Sequence, residues 1–204
     1  LEAPEEVYLD VNALAKGEKF MSVAVREVSD DGNLLAYTTD NTGFRDYTLR
    51  IKDLATGKLF PEQVARAGSV AWAADNKTLF YTVTDPAKRS YRLYRHTLGT
   101  DPSTDVLLYE EKDEMFRVLT GRSRSRAILL VGVASHTSSE WRWLPADQPT
   151  AALRLISARE KDHEYDVDHR GDLFYIRSNK QSRNFRVVTA PVADPGQANW
   201  KETV

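Results

Sequence analysis

The sequence predicts an all-β fold, because one pattern of turn residues followed by an apolar or alternating strand occurs four times in 204 residues. The equivalent strand positions are Leu35, Leu79, Ile128 and Leu173, at steps of 44, 49 and 45 residues. A second pattern, a short alternating segment that contains an aromatic residue, follows each of these strands at a matched distance. Its equivalent aromatic positions are Tyr47, Tyr91, Trp141 and Phe185, at steps of 44, 50 and 44 residues. Two independent patterns that keep one period indicate a repeat.

Each repeat holds four predicted strands, bounded by turn residues. The four units cover residues 18–62, 68–110, 114–158 and 164–204. The predicted strands are Met21–Val25, Leu34–Thr38, Tyr47–Lys52 and Lys58–Phe60; Ser69–Trp72, Thr78–Val83, Tyr91–His96 and Val106–Tyr109; Met115–Leu119, Ala127–Val133, Glu140–Leu144 and Ala152–Ile156; and Tyr165–Val167, Asp172–Arg177, Asn184–Thr189 and Trp200–Thr203. Asp-Gly, Asp-Asn and Arg-Gly pairs between the first and second strands tolerate the positive φ of tight hairpins. The segments Pro61–Ala67 and Ser157–Glu160 lack a helical apolar period and are predicted to be loops.

Four-stranded antiparallel meanders of this length are typical of the blades of a β-propeller, which surround a central channel. A solenoid is the competing geometry, but its repeats are usually shorter and carry helices or strict ladders. Composition is even along the chain, so residues 1–204 are expected to form part of one propeller domain. No additional strand that would close a ring is visible, and we expect an open fragment of a larger propeller.

Composition excludes several classes of protein. Lys and Arg number 28 against 30 Asp and Glu, for a net charge of −2, which argues against nucleic acid as a partner. The absence of Cys excludes disulfides, cysteine nucleophiles and thiolate metal sites. The longest apolar run, Ala127–Ala134, is far shorter than the roughly 20 residues of a membrane-spanning helix, so no membrane partner is expected. Residues Leu1–Glu6 carry no signal-peptide pattern, and we expect a cytoplasmic location.

No catalytic, cofactor-binding or metal-binding residue is predicted. The nucleophile elbow Gly-x-Ser-x-Gly does not occur, and Ser69 and Ser135 are interpreted as turn residues. The four histidines, at positions 96, 136, 163 and 169, are interpreted as surface-loop residues. Asp166–Asp172 begins like an EF-hand loop, but Arg177 stands where a bidentate Glu is required, so calcium is rejected.

Two further features have structural interpretations. The basic cluster Arg122–Arg126 lies in a predicted turn and is interpreted as a solvated hairpin tip, because the aromatic residues of an RNA-binding surface are missing around it. The four Trp and nine Tyr lie mostly on predicted strands, and we expect them to pack between neighbouring blade faces.

Five segments, read together and in order, resemble a known family. They are EEVYLDVNALA at 5–15, VSDDGNLLAY at 28–37, YTLRIKDLATG at 47–57, WAADNKTLFY at 72–81 and RLYRHTLG at 92–99. Together these segments resemble the propeller domain of the prolyl oligopeptidase family of serine peptidases, and within that family the oligopeptidase B (protease II) branch. The similarity covers nearly the whole chain and is clearest over residues 5–115.

The resemblance implies a fold and a role. In this family a seven-bladed propeller covers the active site of a separate α/β-hydrolase domain, excludes folded proteins and admits short peptides, and the oligopeptidase B branch cleaves after Arg or Lys. The resemblance therefore implies two partners for this chain, short peptide substrates and the hydrolase domain. The chain contains no position that matches the Ser-Asp-His triad, so we expect it to gate access without catalysis and to be inactive alone.

Other possibilities remain at the level of sequence. The DGNLLAY motif also occurs in TolB-like repeats. The alternative is therefore a binding propeller with no peptidase attached. A WD-repeat protein would contain Gly-His and Trp-Asp dipeptides, which do not occur here. A propeller glycosidase would need a carboxylate pair, which the 30 acidic residues do not single out. Exposed strand edges at the ends of an open fragment favour a dimer through edge strands.

Overall fold

The computed structural model describes residues 4–203 and consists of four four-stranded antiparallel sheets, each built from strands that are consecutive in sequence. The predicted all-β propeller fold class is thereby confirmed. Three residues of the N-terminal stretch considered for a signal peptide, 1–3, lie outside the described residues, as does Val204.

The strand order within each sheet equals the chain order, as expected of a meander. The elements are β1 (Ser22–Val28), β2 (Leu34–Asp40), β3 (Thr48–Asp53) and β4 (Leu59–Ala65) in sheet 1; β5 (Ala67–Trp72), β6 (Thr78–Thr84), β7 (Ser90–Thr97) and β8 (Val106–Glu110) in sheet 2; β9 (Arg117–Arg122), β10 (Ile128–Ala134), β11 (Ser139–Pro145) and β12 (Arg154–Ser157) in sheet 3; and β13 (Tyr165–Arg170), β14 (Leu173–Ser178), β15 (Arg186–Pro191) and β16 (Lys201–Glu202) in sheet 4. Each predicted strand overlaps an observed one. Short 3₁₀ turns at Pro102–Thr104 and Gln197–Asn199 precede β8 and β16.

The prediction of a loop over Pro61–Ala67 is wrong. Residues 61–65 belong to β4, in which Val64 pairs with Leu49, and β5 begins at Ala67. Because β4 is the last strand of its sheet, a proline that donates no backbone hydrogen bond is tolerated there. The β3–β4 register also shifts between Arg50 and Lys52, opposite the proline.

A single turn of α-helix, α1 (Val11–Leu14), was not predicted. It is capped by Asp10, whose Oδ1 accepts hydrogen bonds from the backbone N of Asn12 at 2.8 Å and of Ala13 at 3.2 Å. A side-chain cap of this kind satisfies helix N–H groups that have no partner within the helix.

The core lies between neighbouring sheets, in three clusters of buried side chains. Five consecutive residues of β6, 78–82, are buried, as are the first six of β10, because sheets 2 and 3 are covered on both faces. In β14 burial alternates residue by residue, and Tyr175 is exposed. Within residues 4–203, one face of sheet 4 is therefore open to solvent.

Aromatic side chains join the sheets, as predicted. The indole Nε1 of Trp72 donates to the backbone oxygen of Glu27 in sheet 1 at 2.9 Å. Trp143 of sheet 3 meets Phe174 of sheet 4 edge-on, with ring centroids 5.3 Å apart. These contacts orient each sheet against the next.

The first strands of sheets 1 to 3 lie side by side, which places them on the inner, axial side of the assembly. One direct contact between them is the hydrogen bond from the backbone N of Thr120 in β9 to Ser69 Oγ in β5, at 2.9 Å. Most residues of β1 are nevertheless at least partly exposed, as expected for strands that face a channel. We call β1, β5, β9 and β13 the axial wall.

Candidate channel wall and its axial turns

Four short turns join the axial wall to the second strand of each sheet, and they lie at one end of the assembly. They cover residues 29–33, 73–77, 123–127 and 171–172, and we call them the axial turns. Hydrogen bonds join two of these turns to the neighbouring sheet. The backbone N of Asp31 donates to Asn76 Oδ1 at 3.1 Å, and the backbone N of Arg124 donates to Asp168 Oδ1 at 2.9 Å.

One ion-pair group joins sheet 1 to sheet 3 at this end. The carboxylate of Asp30 in sheet 1 accepts hydrogen bonds from Arg126 Nε at 2.8 Å and from an Arg122 guanidinium nitrogen at 3.2 Å, both in sheet 3. Burial acts to raise the pKa of Asp30, but the hydrogen bonds from the two arginines outweigh it and hold that pKa below its usual range. The carboxylate therefore stays charged at neutral pH.

The neighbouring Asp31 makes the hydrogen bonds that stabilise the turn, so the carboxylate of Asp30 is free to contact the arginines. Asp31 Oδ1 accepts the hydroxyl of Ser29 at 2.6 Å and the backbone N of Asn33 at 3.1 Å. No sequence motif distinguishes Asp30 from the other acidic residues. The available signal was the opposite charge of the two turns, since residues 29–33 include two aspartates and residues 122–126 include three arginines.

The interpretation of Arg122–Arg126 as a solvated hairpin tip is wrong for Arg122. Its side chain is only 9% exposed, and it donates to the backbone oxygen of Trp72 in sheet 2 at 2.6 Å as well as to Asp30. Arg122 and Arg126 therefore contact groups of other sheets. Arg126 is half-exposed, and Arg124 is exposed.

Beneath these turns the axial wall encloses an open pocket of about 440 Å³ between β1, β5 and β9. Glu27 and Arg122 line it, together with the hydroxyl-bearing Ser69 and Thr120. Burial raises the pKa of Glu27, and the charge of Arg126 opposes that rise. This part of the wall is thus polar and carries both signs of charge.

The opposite end is tied together by Arg159, in the connection from sheet 3 to sheet 4. Its Nε lies 3.3 Å from Glu140 Oε2, and its guanidinium also bonds the carboxylate of Glu111. Both carboxylates are almost fully buried. The hydroxyl of Tyr109 donates to Glu111 at 3.0 Å, and burial together with this bond raises its pKa to about 12. A paired, fully hydrogen-bonded group of this kind fixes the spacing of two sheets.

The interpretation of the histidines as surface-loop residues is wrong for three of the four. His96 in β7 and His169 in β13 are buried because they face neighbouring sheets, and His163 is buried although it lies in a connection. His163 stacks on Tyr165 with ring centroids 5.1 Å apart. Only His136 is exposed, in the β10–β11 turn.

The two serines considered as nucleophiles and the acidic segment considered for calcium binding belong to strands and turns of the fold. Ser69 lies inside β5, as the predicted strand Ser69–Trp72 requires and not in a turn, and its hydroxyl contacts Thr82 Oγ1 at 3.1 Å. Ser135 is a turn residue whose hydroxyl donates to the backbone oxygen of Ser138 at 3.2 Å. Residues 166–170 form most of β13. Within residues 4–203 no three His, Asp or Glu side chains are placed to hold a metal ion, and the helical segments there are too short to cross a membrane.

The comparison with protein families identifies the chain. The model described as "Prolyl oligopeptidase, N-terminal beta-propeller domain" matches residues 1–204. The chain therefore belongs to the prolyl oligopeptidase family and is its N-terminal propeller domain, as the sequence resemblance predicted.

The curated relatives and solved structures that match the chain agree with this family assignment. The chain is 43% identical to Dipeptidyl aminopeptidase BI of Pseudoxanthomonas mexicana over 99% of its length, and 36% identical to Protease 2 of Moraxella lacunata over 95%. It covers 28% of each of those proteins. Oligopeptidase B from Leishmania major superposes with a TM-score of 0.90 at 28% identity, over 97% of this chain and 28% of that one. The chain thus spans less than a third of the relatives that it matches, and those relatives are named as peptidases rather than as binding propellers.

Proposed function

We propose that this chain is the substrate-selecting part of a serine oligopeptidase, and that it restricts access to a hydrolase domain supplied by the rest of the protein. The observation that supports this most strongly is the group formed by Asp30, Arg122 and Arg126, which crosses from sheet 1 to sheet 3 at the axial turns. We expect a charged contact at this position to narrow the axial opening of the complete propeller. A short, extended peptide passes such an opening more readily than a folded protein does.

Rigidity of the wall supports the same role. A filter discriminates by size only if its opening keeps its dimensions. Here, the Arg159 group at one end and the linked axial turns at the other fix neighbouring sheets relative to each other. The chain needs no catalytic group of its own for this function.

The experiment compares two substrates of the longer peptidase that carries this chain, a short chromogenic peptide and an unstructured polypeptide of protein length. Asp30→Asn removes the charge that holds both arginines. We expect it to raise the ratio of kcat/KM for the polypeptide to that for the short peptide severalfold, because the opening widens.

The matched control is Glu110→Gln, which breaks an ion pair with Arg92 of 3.2 Å at the outer edge of sheet 2. It should leave the ratio unchanged. An unchanged ratio in Asp30→Asn, or an equal rise in both variants, would contradict gating at the axial turns.

The peptide bond that the longer peptidase cleaves is a separate part of the proposal. The oligopeptidase B resemblance favours cleavage after Arg or Lys, and the 43% identity with Dipeptidyl aminopeptidase BI favours release of dipeptides from a free amino terminus. We propose cleavage after Arg or Lys as the first specificity, and release of dipeptides is the second, alternative specificity. Hydrolysis of an N-terminally blocked arginyl substrate supports the first, whereas activity confined to unblocked dipeptidyl substrates supports the second.

A further inference from the structure

An open depression of about 420 Å³ lies at the outer rim, where sheets 1 and 2 meet. It is lined by residues 61–63 of β4 and by residues 99–102 of the connection from β7 to β8. That connection lies at the same end as the axial turns, since the backbone N of Leu98 donates to the backbone oxygen of Lys77 at 2.8 Å. Sheets 1 and 2 share one buried cluster of apolar side chains, so both walls of the depression belong to sheets that pack against each other.

Glu62 brings a buried carboxylate to this depression. It is only 7% exposed and lies on the same face of β4 as Val64, which packs against the apolar cluster of sheets 1 and 2. Its Oε1 accepts the backbone N of Gly99, whereas Oε2 is buried and has no hydrogen-bond partner in residues 4–203. A buried carboxylate oxygen without a partner costs free energy, and a bound donor would offset that cost.

Asp101 adds a second carboxylate. The side chain is exposed, and its Oδ1 accepts the backbone N of Ser103 at 2.8 Å. This hydrogen bond holds the pKa of Asp101 below its usual value, so the carboxylate is charged at neutral pH. None of the described residues that line the depression is basic. With Glu62 ionised, the depression carries two negative charges and no positive charge.

These acceptors suit an ammonium group better than a metal ion or a guanidinium group. A calcium ion takes roughly six to eight oxygen ligands, and no three His, Asp or Glu side chains come together in residues 4–203. A lysine ammonium carries three donors at the end of a slender apolar stem, whereas a guanidinium is a wide planar fork. Pro61 and Pro102 line the same depression and offer apolar surface to such a stem.

We propose that this depression binds the side chain of a lysine in an extended peptide segment. The ammonium bonds Glu62 and pairs with Asp101, and the stem packs along Pro61 and Pro102. The site lies at the outer rim rather than on the axial wall. It does not depend on the proposed gating function, so either proposal can fail without the other.

The test uses the longer peptidase that carries this chain, with its nucleophilic serine blocked by an organophosphate so that the probe is not cleaved. The probe is the peptide Gly-Lys-Gly, acetylated at its amino terminus and amidated at its carboxyl terminus. A comparison peptide carries norleucine in place of lysine, which keeps the apolar stem and removes the ammonium. Saturation-transfer NMR measures which peptide protons contact the protein. We expect a saturable signal that is strongest at the ε-methylene of lysine, and little signal from the norleucine peptide.

Two variants that remove only charge locate the site. Glu62→Gln keeps an acceptor for the backbone N of Gly99. Asp101→Asn keeps a side-chain oxygen for Ser103, since Asn caps a helical turn as well as Asp does. Each should weaken binding of the lysine peptide about tenfold, as expected for the loss of one charge-assisted contact. Circular dichroism shows whether each variant is folded, and Asp101→Asn, at an exposed position, keeps the test decisive if Glu62→Gln is not.

Glu110→Gln is the matched control, because Glu110 is a carboxylate of the same sheet 2 that pairs with Arg92 outside the depression. It should leave binding of the lysine peptide unchanged. Equal binding of the norleucine peptide, no signal from the lysine peptide, native affinity in the folded Glu62 and Asp101 variants, or equal weakening by Glu110→Gln would overturn the proposal.

Discussion

The carboxylate of Asp105 lies 2.8 Å from Nδ1 of His96, and both side chains are only 2% exposed. The other carboxylate oxygen accepts the hydroxyl of Tyr81 at 2.7 Å. Burial, together with this hydrogen bond, raises the pKa of Tyr81 well above its usual value. Sheet 2 is thus held by a buried polar group that joins β6, β7 and the residue that precedes β8.

Removing the carboxylate should destabilise the chain strongly. Asp105→Ala leaves Tyr81 and His96 without their partner inside the protein, and we expect a loss of about 3 kcal/mol in the free energy of unfolding. Urea denaturation measures it. Asp166→Ala is the comparison, since it breaks an ion pair with Arg177 in which both side chains are more than half exposed. It should cost less than about 1 kcal/mol, and equal losses in the two variants would contradict the assignment.

His163 should make stability depend on pH. Burial lowers the pKa of His163 below its ordinary value of 6.5, an effect that nearby Glu160 partly opposes and nearby Lys180 reinforces. The unfolded chain then takes up the proton first. The contribution of His163 is fully present above pH 6.5 and is lost as the pH falls below it.

The measurement is the free energy of unfolding at several pH values between 8 and 5.5. His163→Gln keeps a hydrogen-bonding group near Ser178 Oγ, which lies 2.8 Å from His163 Nε2. This variant should lose less stability over that range than the native chain. His136→Gln, at the exposed turn, should keep the native dependence. An identical pH dependence in His163→Gln would count against the burial effect.

Gly68 should not tolerate a side chain. A Cβ at this position would lie 2.5 Å from Thr82 Oγ1 and 2.8 Å from Ser90 Oγ. The same Thr82 oxygen accepts the backbone N of Ser69 at 2.9 Å, so a shift of Thr82 would also cost this hydrogen bond. We expect Gly68→Ala to lower stability by about 1–3 kcal/mol.

Gly121 provides the matched control for that substitution. It lies in β9, also an axial-wall strand, and a Cβ there meets nothing within 4 Å. Thermal unfolding should show a lower midpoint for Gly68→Ala and little change for Gly121→Ala. A native midpoint for Gly68→Ala would mean that β5 and β6 are farther apart than described.

Much of the fold could be predicted because its signals are local. Alternating strands and turn pairs such as Asp31-Gly32, where Gly32 has φ +77°, mark hairpins without reference to the rest of the chain. The β4 strand was underestimated because Pro61 is a local breaker, whereas its place at a sheet edge is a tertiary property.

The site could not be predicted in the same way, because its contacts are distant in sequence. Asp30 and Arg126 are 96 residues apart, and the opposite charges of their turns do not by themselves show that the two turns meet. The burial of His96, which is only 1% exposed, is likewise a property of tertiary packing. The basic cluster Arg122–Arg126 is visible in the sequence, but the burial of Arg122 is not, because it is set by the packing of the sheets.

A charge exchange in the longer peptidase tests the central claim most directly. Asp30→Arg places a third arginine against Arg122 and Arg126, and adding Arg126→Asp restores an opposite charge across the axial turns. The measured quantity is the ratio of kcat/KM for a long polypeptide to that for a short peptide. We expect the ratio to rise in Asp30→Arg and to return toward the native value in the double variant. A ratio that stays native in the single variant, or stays raised in the double variant, would contradict gating by this contact.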